Sequence, residues 1–336
     1  MLLVLDRAVM AGQAQPKPQE RSSPVLEPQL SGLVEPHPQT RRLVEAVVAA
    51  WPDHARYAIK SFSGRNPQSM ATTERIAEAV LLLAGDQLAV LAEDYHWTCD
   101  RLRDEELFFH REGRYRLSTF AEANAEVYSN ADYMRRYMNG LLCSQVMWAN
   151  HAASFQFFLD EAPRRLPPKA RYLEIGPGHG LMMSMAMRDF DLAASVAWDL
   201  SSVSVEQSRA ALARLGVSNA MLGVRDIMSL TDCEDTFDLV VLSEILEHLE
   251  DPHRALRHVR TLVGRDGLVF VNIPINSPSP DHLFLLEPVE DARRRLTDCG
   301  FAIGSDGFFA TQGVSLERAL RRRISVSACL FGRASA

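Results

Sequence analysis

Residues 172–180 read Tyr172-Leu-Glu-Ile-Gly-Pro-Gly-His-Gly180, a short apolar run that leads into a glycine-rich turn, and a helical pattern begins at Leu181. Gly176, Gly178 and Gly180 permit a tight turn and a close approach of a ligand to the backbone. The helix that follows offers free amide groups and the positive end of its dipole. Dinucleotide-binding enzymes use a similar turn, so the motif alone does not identify the ligand.

The region around this turn alternates between apolar runs and amphipathic segments. The helical pattern recurs at 204–215 and 252–263, between runs at 171–175, 195–198, 220–224, 239–242 and 268–273. Such alternation predicts a parallel sheet with helices on both faces, an α/β fold. Two further strand-like runs, 301–309 and 324–331, flank a helix-like segment at 314–323 and complete seven predicted strands.

Acidic residues follow the second and third runs at the edge where the glycine turn lies. Asp199 comes nineteen residues after Gly180, where a carboxylate can accept hydrogen bonds from two ribose hydroxyls. Asp226 is placed to receive an adenine amino group, while Ile227 packs on the ring. Asp199 is also placed to cap the helix that begins near Ser201, and the two roles are compatible.

This series of motifs resembles the class I S-adenosylmethionine-dependent methyltransferases over about residues 168–331. The resemblance implies a Rossmann-like domain of seven strands that ends in an antiparallel pair, with S-adenosylmethionine as cofactor. It implies that Glu174 supports the glycine loop and helps to receive the methionine amino group, and that Asp199 and Asp226 are the ribose and adenine acids. We include Ser243, at the end of the fourth run, among the cofactor-binding residues.

The segment after the fourth run carries the candidate catalytic residues. Glu244, Glu247 and His248 are spaced i, i+3 and i+4, so a helix would place them on one face at the carboxyl edge of the sheet. His248 is the natural proton acceptor for methyl transfer, since its unperturbed pKa is about 6.5. A proline-rich loop after the fifth run places Asp281 and His282 where they can face His248.

The same residues permit two further interpretations. The spacing Glu-x-x-Glu-His resembles the metal-binding segment of a ubiquinone-pathway O-methyltransferase and of a small-RNA 2'-O-methyltransferase, which implies a divalent cation that polarises an acceptor hydroxyl. Alternatively, the carboxylates pair with a cationic amine or guanidinium acceptor. We assign no metal from the sequence and keep the metal-assisted reaction as an alternative.

The first half of the chain has a different composition. Prolines are frequent between about residues 12 and 39, so we predict a disordered leader over 1–39 and a mainly helical domain over 40–165. Short runs at 107–110 and 115–118 flank Gly113 and predict a hairpin. Helices that end in a hairpin resemble the winged-helix dimerisation domain of two-domain O-methyltransferases, which implies a homodimer. The cofactor domain is then predicted over 166–336.

Composition excludes several classes of partner. The chain has 336 residues, a formal net charge of −7 and no apolar run long enough to span a membrane, so we expect neither a nucleic-acid nor a membrane partner. Its five cysteines form no CxxC pair, which is typical of a cytoplasmic protein.

The combined interpretation is a cytoplasmic, homodimeric methyltransferase that acts on a small-molecule acceptor in secondary metabolism. We favour N-methylation of an amino or guanidino group such as that of arginine, because the chain resembles natural-product N-methyltransferases. O-methylation of a hydroxylated small molecule is the first alternative. A non-catalytic protein that binds the cofactor and a partner is the second.

Overall fold

A mainly helical region precedes the sheet in the structure, a computed structural model that describes residues 26–230 and 235–335. Within these residues the helices before the sheet are α1 Pro28–Val34, α2 Pro38–Ala50, α3 Ala55–Ser63, α4 Pro67–Ala84, α5 Leu88–Glu112, α6 Phe120–Ala123, α7 Ala131–Met147 and α8 Ala149–Glu161. Those that follow the first strand are α9 Leu181–Asp189, α10 Ser202–Arg214, α11 Pro252–Leu262, α12 Val289–Asp298 and α13 Leu316–Arg321. None of the helices in the described part is long and apolar enough to cross a membrane.

The strands form one mixed sheet in the described residues. They are β1 Ala170–Ile175, β2 Leu192–Asp199, β3 Met221–Val224, β4 Phe237–Ser243, β5 Val263–Ile275, β6 Phe301–Ala310 and β7 Val326–Ala334. Their order is β3-β2-β1-β4-β5-β7-β6; β1 to β5 are parallel, and β7 is antiparallel to both of its neighbours. The predicted α/β fold with seven strands and an antiparallel end is confirmed.

The strand order reverses between β1 and β4, and this reversal positions the site. Chain connections leave β1 toward one side of the sheet and β4 toward the other, which opens a crevice at the carboxyl ends of the parallel strands. The glycine turn begins in this crevice, where the Gly176 amide donates to the Trp198 carbonyl at the end of β2.

Side chains of β1 alternate between two hydrophobic cores, one on each face of the sheet. Tyr172 belongs to the core that also contains the helices before the sheet, and Leu173 belongs to the other core. Phe158 of α8 contacts Phe270 and Phe331 on the first face, with ring centroids 4.9 and 6.4 Å away. One core therefore continues from the first helices onto the sheet. The domain boundary predicted between residues 165 and 166 stays a prediction.

The predicted hairpin around Gly113 is wrong. Residues 107–110 belong to the last turns of α5, with Phe109 fully buried, and residues 115–118 form no strand. Gly113 has a φ of 70° and its amide donates to the Phe109 carbonyl, so this glycine ends a helix. The winged-helix hairpin, on which the implied dimerisation domain depended, is absent from this part of the described chain.

The predicted disorder of residues 1–39 is wrong for the end of that range. Pro28 and Pro38 are the first residues of α1 and α2, a position where the missing amide of proline costs nothing. Leu30 and Val34 of α1 are fully buried in the core that α8 also joins. Residues 1–25 lie outside the described residues.

We predict that replacing Gly140 of α7 with alanine lowers the free energy of unfolding by about 1–3 kcal/mol. A Cβ at this position would lie 2.0 Å from Oγ1 of Thr98 in α5. Thr98 is itself buried and its hydroxyl donates to the Asp94 carbonyl, so it has little freedom to move. Urea denaturation followed by circular dichroism measures the change.

The matched control is Gly32→Ala in α1, where a Cβ would meet no atom within 4 Å. Because alanine favours helix, this variant is expected to be neutral or slightly more stable. Equal stability of the two variants would show that α5 and α7 do not cross as closely as described.

Candidate functional site

A large cavity opens at the carboxyl edge of the sheet, under the helices of the first half. Its volume is about 2040 Å³, and every predicted site residue except Gly180 lines it. Helical-half residues such as Tyr57, Tyr128, Tyr137 and Trp148 line it as well. The predicted cofactor and catalytic residues therefore share one space with the helical half.

The glycine turn requires its glycines for two separate reasons. Gly176, Gly178 and Gly180 all have positive φ, between 51° and 69°. A Cβ on Gly176 would lie 2.1 Å from Ile245, and one on Gly180 would lie 2.8 Å from Leu212. A Cβ on Gly178 would meet nothing within 4 Å, so this residue leaves open space on the cavity side of the turn.

Glu174 is the acid that precedes the turn, and it is almost completely buried. Burial raises its pKa from 4.5 to about 8, although the hydroxyl of Tyr172 donates to its Oε2 and acts in the opposite direction. Tyr172 lies two residues before Glu174 on β1. Because alternate side chains of a strand point to the same face, this spacing was the signal in the sequence for the contact. A buried carboxyl group of this kind is suited to a cationic ligand group.

Asp199 ends β2, and its carboxylate lines the cavity. Its Oδ1 accepts a hydrogen bond of 3.0 Å from the Ser201 amide, and burial raises its pKa. The acid thus supports the start of α10, as its sequence position allows, and is also available to a ligand.

Asp226 and Ile227 stand at the end of β3. Asp226 accepts from the Met228 amide at 2.8 Å and begins a short 3-10 helix, Ile227–Ser229. Ile227 is buried in the second core while it lines the cavity. Their roles toward adenine stay predictions.

The helix predicted for Glu244, Glu247 and His248 is wrong. Glu244 has a φ of 56°, which no α-helix contains, and only Leu246–His248 forms a 3-10 turn. The Glu244 amide instead donates to the Asn272 carbonyl of β5, so the chain extends past Ser243 before it turns. The Asn272 amide group donates to the Ser243 hydroxyl at 3.2 Å. The turn nevertheless brings the predicted catalytic residues together.

Three carboxyl oxygens in this turn are buried without a donor among the described residues. Both oxygens of Glu247 and Oε1 of Glu244 have no hydrogen-bond partner among the described residues. Burial raises the pKa of Glu244 to about 7, and burial together with the charge of Glu244 raises the pKa of Glu247 well above its usual value. Two such groups require a proton or a bound cation between them.

Two histidines flank Glu247 and direct a ring nitrogen toward it. His282 Nδ1 lies 2.6 Å from the Ser277 carbonyl, so Nδ1 carries the proton and Nε2 has a free lone pair. Burial, followed by the charge of His248, lowers the pKa of His282 to about 4. His248 Nδ1 lies 3.2 Å from the Asp281 carbonyl, which likewise leaves Nε2 free.

These three residues fit a divalent cation. Ligand atoms of Glu247, His248 and His282 lie within 4.8 Å of one another. In the described parts of the chain, these are the acidic and histidine side chains that lie close enough together to hold one metal ion. Glu247 Oε1 lies 3.8 Å from His248 Nε2 and 4.0 Å from His282 Nε2. A carboxylate with two imidazoles suits zinc, manganese or iron.

A second layer surrounds His248 and includes residues that the sequence analysis did not identify. Asp281 Oδ2 lies 3.4 Å from His248 Nδ1, as the loop position allowed us to expect. Tyr128, Tyr137 and Ser279 donate to the Asp281 carboxylate. Burial would raise the pKa of Asp281, but His248, His282 and Tyr137 hold it below its usual value. Only the fold brings these two tyrosines to this loop.

Curated relatives cover part of this chain. A ubiquinone biosynthesis O-methyltransferase of Neisseria meningitidis serogroup C is 28% identical over 153 residues, which is 43% of this chain and 63% of that protein. One from N. meningitidis serogroup A is 30% identical over 36% of this chain and 50% of that protein. The chain thus spans about half to three fifths of the length of the relatives it matches.

Among solved structures, N-methyltransferase NodS from Bradyrhizobium japonicum, in complex with S-adenosyl-L-homocysteine, has a TM-score of 0.46 and 15% identity. The match covers 65% of this chain and 98% of that one. A putative sarcosine dimethylglycine methyltransferase from Galdieria sulphuraria also has a TM-score of 0.46, with 12% identity over 55% of this chain and 86% of that one.

The family model described as a methyltransferase domain matches residues 136–323, more than half of the chain. This range contains the glycine turn, Asp199 and the cluster around Glu247. The chain therefore belongs to the class I S-adenosylmethionine-dependent methyltransferases.

Proposed function

We propose that this protein transfers the methyl group of S-adenosylmethionine to a hydroxyl oxygen of a small molecule, with a divalent cation held by Glu247, His248 and His282. The observation that carries the proposal is the state of Glu247. Its carboxylate is fully buried, no donor reaches either oxygen, and two imidazole nitrogens face it. Burying this group in its ionised form is costly unless a cation accompanies it.

The names of the curated relatives support transfer to oxygen, since they are O-methyltransferases of ubiquinone biosynthesis. Their matched regions cover only part of those proteins, so the acceptor of this chain is proposed as a class, a hydroxylated small molecule. A bound divalent cation would polarise the acceptor hydroxyl and lower its pKa. The hydroxyl proton would pass to the Glu244 carboxylate in the same cavity, the oxygen would bond the methyl carbon, and S-adenosyl-L-homocysteine would leave as the bond between sulfur and methyl breaks.

The residues of this chain hold and orient the reactants. Gly178 leaves room beside the turn, Glu174 receives the amino group of the cofactor, and Asp199 accepts hydrogen bonds from its ribose. Asp226, Ile227 and Ser243 would complete the cofactor site. The buried walls exclude water and hold the acceptor oxygen close to the methyl group. Bound S-adenosylmethionine supplies an electrophilic methyl group.

A second candidate is N-methylation of an amino or guanidino group such as that of arginine. The donor-free oxygens of Glu244 and Glu247 favour it, because a guanidinium would supply donors to both carboxylates. His248 Nε2 would then remove the proton from the reacting nitrogen. A non-catalytic cofactor-binding partner is the third candidate. The homodimer, the cytoplasmic location and the place in secondary metabolism stay predictions.

The test of the reaction is transfer from methyl-labelled cofactor to candidate hydroxylated and amino acceptors, followed by mass spectrometry. We expect labelled methyl ethers. Excess chelator is expected to reduce turnover by roughly 100-fold or more, because the loss of a Lewis acid costs several kcal/mol. Added manganese or zinc restores it.

Glu247→Gln should reproduce the effect of the chelator. The control Glu290→Gln changes an exposed glutamate of α12 and should keep full activity. Full turnover in chelator would exclude the metal, and a labelled amine under the same conditions would establish the N-methylation candidate. Cofactor binding without transfer to any acceptor would favour the non-catalytic role.

Asp199→Ala is expected to weaken cofactor binding by about 1.5–3 kcal/mol, the contribution of hydrogen bonds to a charged group. Isothermal titration calorimetry with S-adenosyl-L-homocysteine measures this loss. Asp191→Ala, at an exposed position just before β2, is the matched control and should bind normally. Unchanged affinity of the Asp199 variant would remove this residue from the cofactor site.

Glu174 should release its proton when the cofactor binds. Its pKa of about 8 means that it is mainly protonated at pH 7, and a cationic amino group beside it would favour the ionised form. We expect about one proton released per cofactor at pH 7. Calorimetry in buffers of different ionisation enthalpy measures this number.

Because binding releases a proton, the affinity for the cofactor increases as the pH rises from 6 toward 8. Glu174→Gln should bind more weakly and release no proton. Equal proton release by the wild type and this variant would show that another group titrates.

A further inference from the structure

Asp281 is a buried carboxylate that the reaction itself does not use. It lies in the loop after β5, is only 4% exposed, and accepts hydrogen bonds on both oxygens. Oδ1 accepts from Tyr137 at 2.9 Å and from Ser279 at 3.3 Å, and Oδ2 accepts from Tyr128 at 3.3 Å. These donors hold the carboxylate at a defined position beside His248.

The two tyrosines come from the helical half of the chain. Tyr137 is buried in α7, and Tyr128 ends a short π-helix, Asn124–Tyr128, that follows α6. Each hydroxyl reaches a different oxygen of the same carboxylate, about 150 residues later in the sequence. Two independent helical segments thus converge on one group of the loop.

The carboxylate in turn determines how His248 is presented. His248 Nδ1 faces the Asp281 carbonyl at 3.2 Å, Asp281 Oδ2 at 3.4 Å and the Tyr128 hydroxyl at 3.3 Å. A proton on Nδ1 leaves the lone pair on Nε2, the atom nearest to Glu247. Partners of this second layer commonly fix the tautomer and orientation of a metal-binding histidine.

We propose that Tyr137 and Tyr128 are positioning residues that act through Asp281 and His248, so that the helical half sets the affinity of the metal centre. The acceptor cavity and the metal site are then built by both halves, since the same helices that line the cavity hold His248 in its binding orientation. The inference rests on the proposed function, because it requires that Glu247, His248 and His282 bind a cation.

The neighbouring Tyr133 provides a matched control on the same helix. It lies one turn before Tyr137, its ring is 6.1 Å from that of Tyr137, and its hydroxyl makes no hydrogen bond to the described residues. Tyr95→Phe is a second control, because it removes a buried hydroxyl that bonds His54 and Trp148, away from Asp281.

The experiment measures binding of Mn²⁺ alone to the full chain, by isothermal titration calorimetry and by the electron paramagnetic resonance signal of free Mn²⁺. We expect one site in the wild type. Tyr137→Phe should weaken it by roughly 5- to 10-fold and Asp281→Asn by roughly 10- to 100-fold, the range seen when second-layer partners are lost. Tyr133→Phe and Tyr95→Phe should bind as the wild type does.

A double-mutant cycle separates positioning from a general structural role. If Tyr137 acts through Asp281, the double variant binds Mn²⁺ no more weakly than Asp281→Asn alone. Additive losses would show that Tyr137 acts by another route and would overturn the proposal. Thermal melting of every variant establishes that it is folded. Tyr128→Phe is a separate test, because the Tyr128 hydroxyl lies 3.3 Å from His248 Nδ1 as well as 3.3 Å from Asp281 Oδ2, and it should weaken Mn²⁺ binding even beside Asp281→Asn.

The failure of this inference differs from the failure of the proposed function. A wild type that binds Mn²⁺ and a Tyr137→Phe variant of equal affinity would overturn the positioning role and leave the metal centre in place. A wild type that binds no Mn²⁺ would refute the metal centre itself, and the positioning role with it.

Discussion

Reversal of the strand order between β1 and β4 is the constraint on which the rest of this structure depends. Parallel strands end at the same edge, and their connections diverge where the order reverses, so the edge opens into a crevice. Glu174 and Asp199 lie at the ends of β1 and β2 and Glu247 follows β4, yet they line one cavity for this reason. The turn between them needs glycine because its φ values are positive, and Gly178, which lacks a Cβ, leaves its cavity side open.

The crevice collects negative charge, and the electrostatics indicates what it binds. Glu174 is suited to a cationic amino group, while Oε1 of Glu244 and both oxygens of Glu247 accept no hydrogen bond from the described residues. Water is largely excluded from these groups, so their charge must be balanced by a proton or a ligand. The two histidines that face Glu247 are held with Nε2 free, so each can accept a proton from Glu247 or bind the metal ion proposed above.

Local patterns were predicted well where they follow from backbone geometry. Each apolar run became a strand, and the glycine turn opens α9, although β5 begins five residues before the predicted run at 268–273. Predictions were wrong where one residue type serves two structures. Gly113 suits a hairpin turn and also a helix end, and Pro28 and Pro38 are typical of disordered segments but also begin helices. Burial of Phe109 and Leu30 selected the helical outcome.

By itself the sequence determined that a parallel sheet forms, that a glycine turn follows its first strand and that acids stand at strand ends, because strand and turn preferences are properties of neighbouring residues. Only the tertiary structure decided that Tyr128 and Tyr137 meet Asp281, and that Glu244 leaves the helical conformation while Glu247 stays beside the histidines. The two tyrosine contacts join segments more than a hundred residues apart. They depend on how the helices pack over the sheet edge, which no local pattern contains.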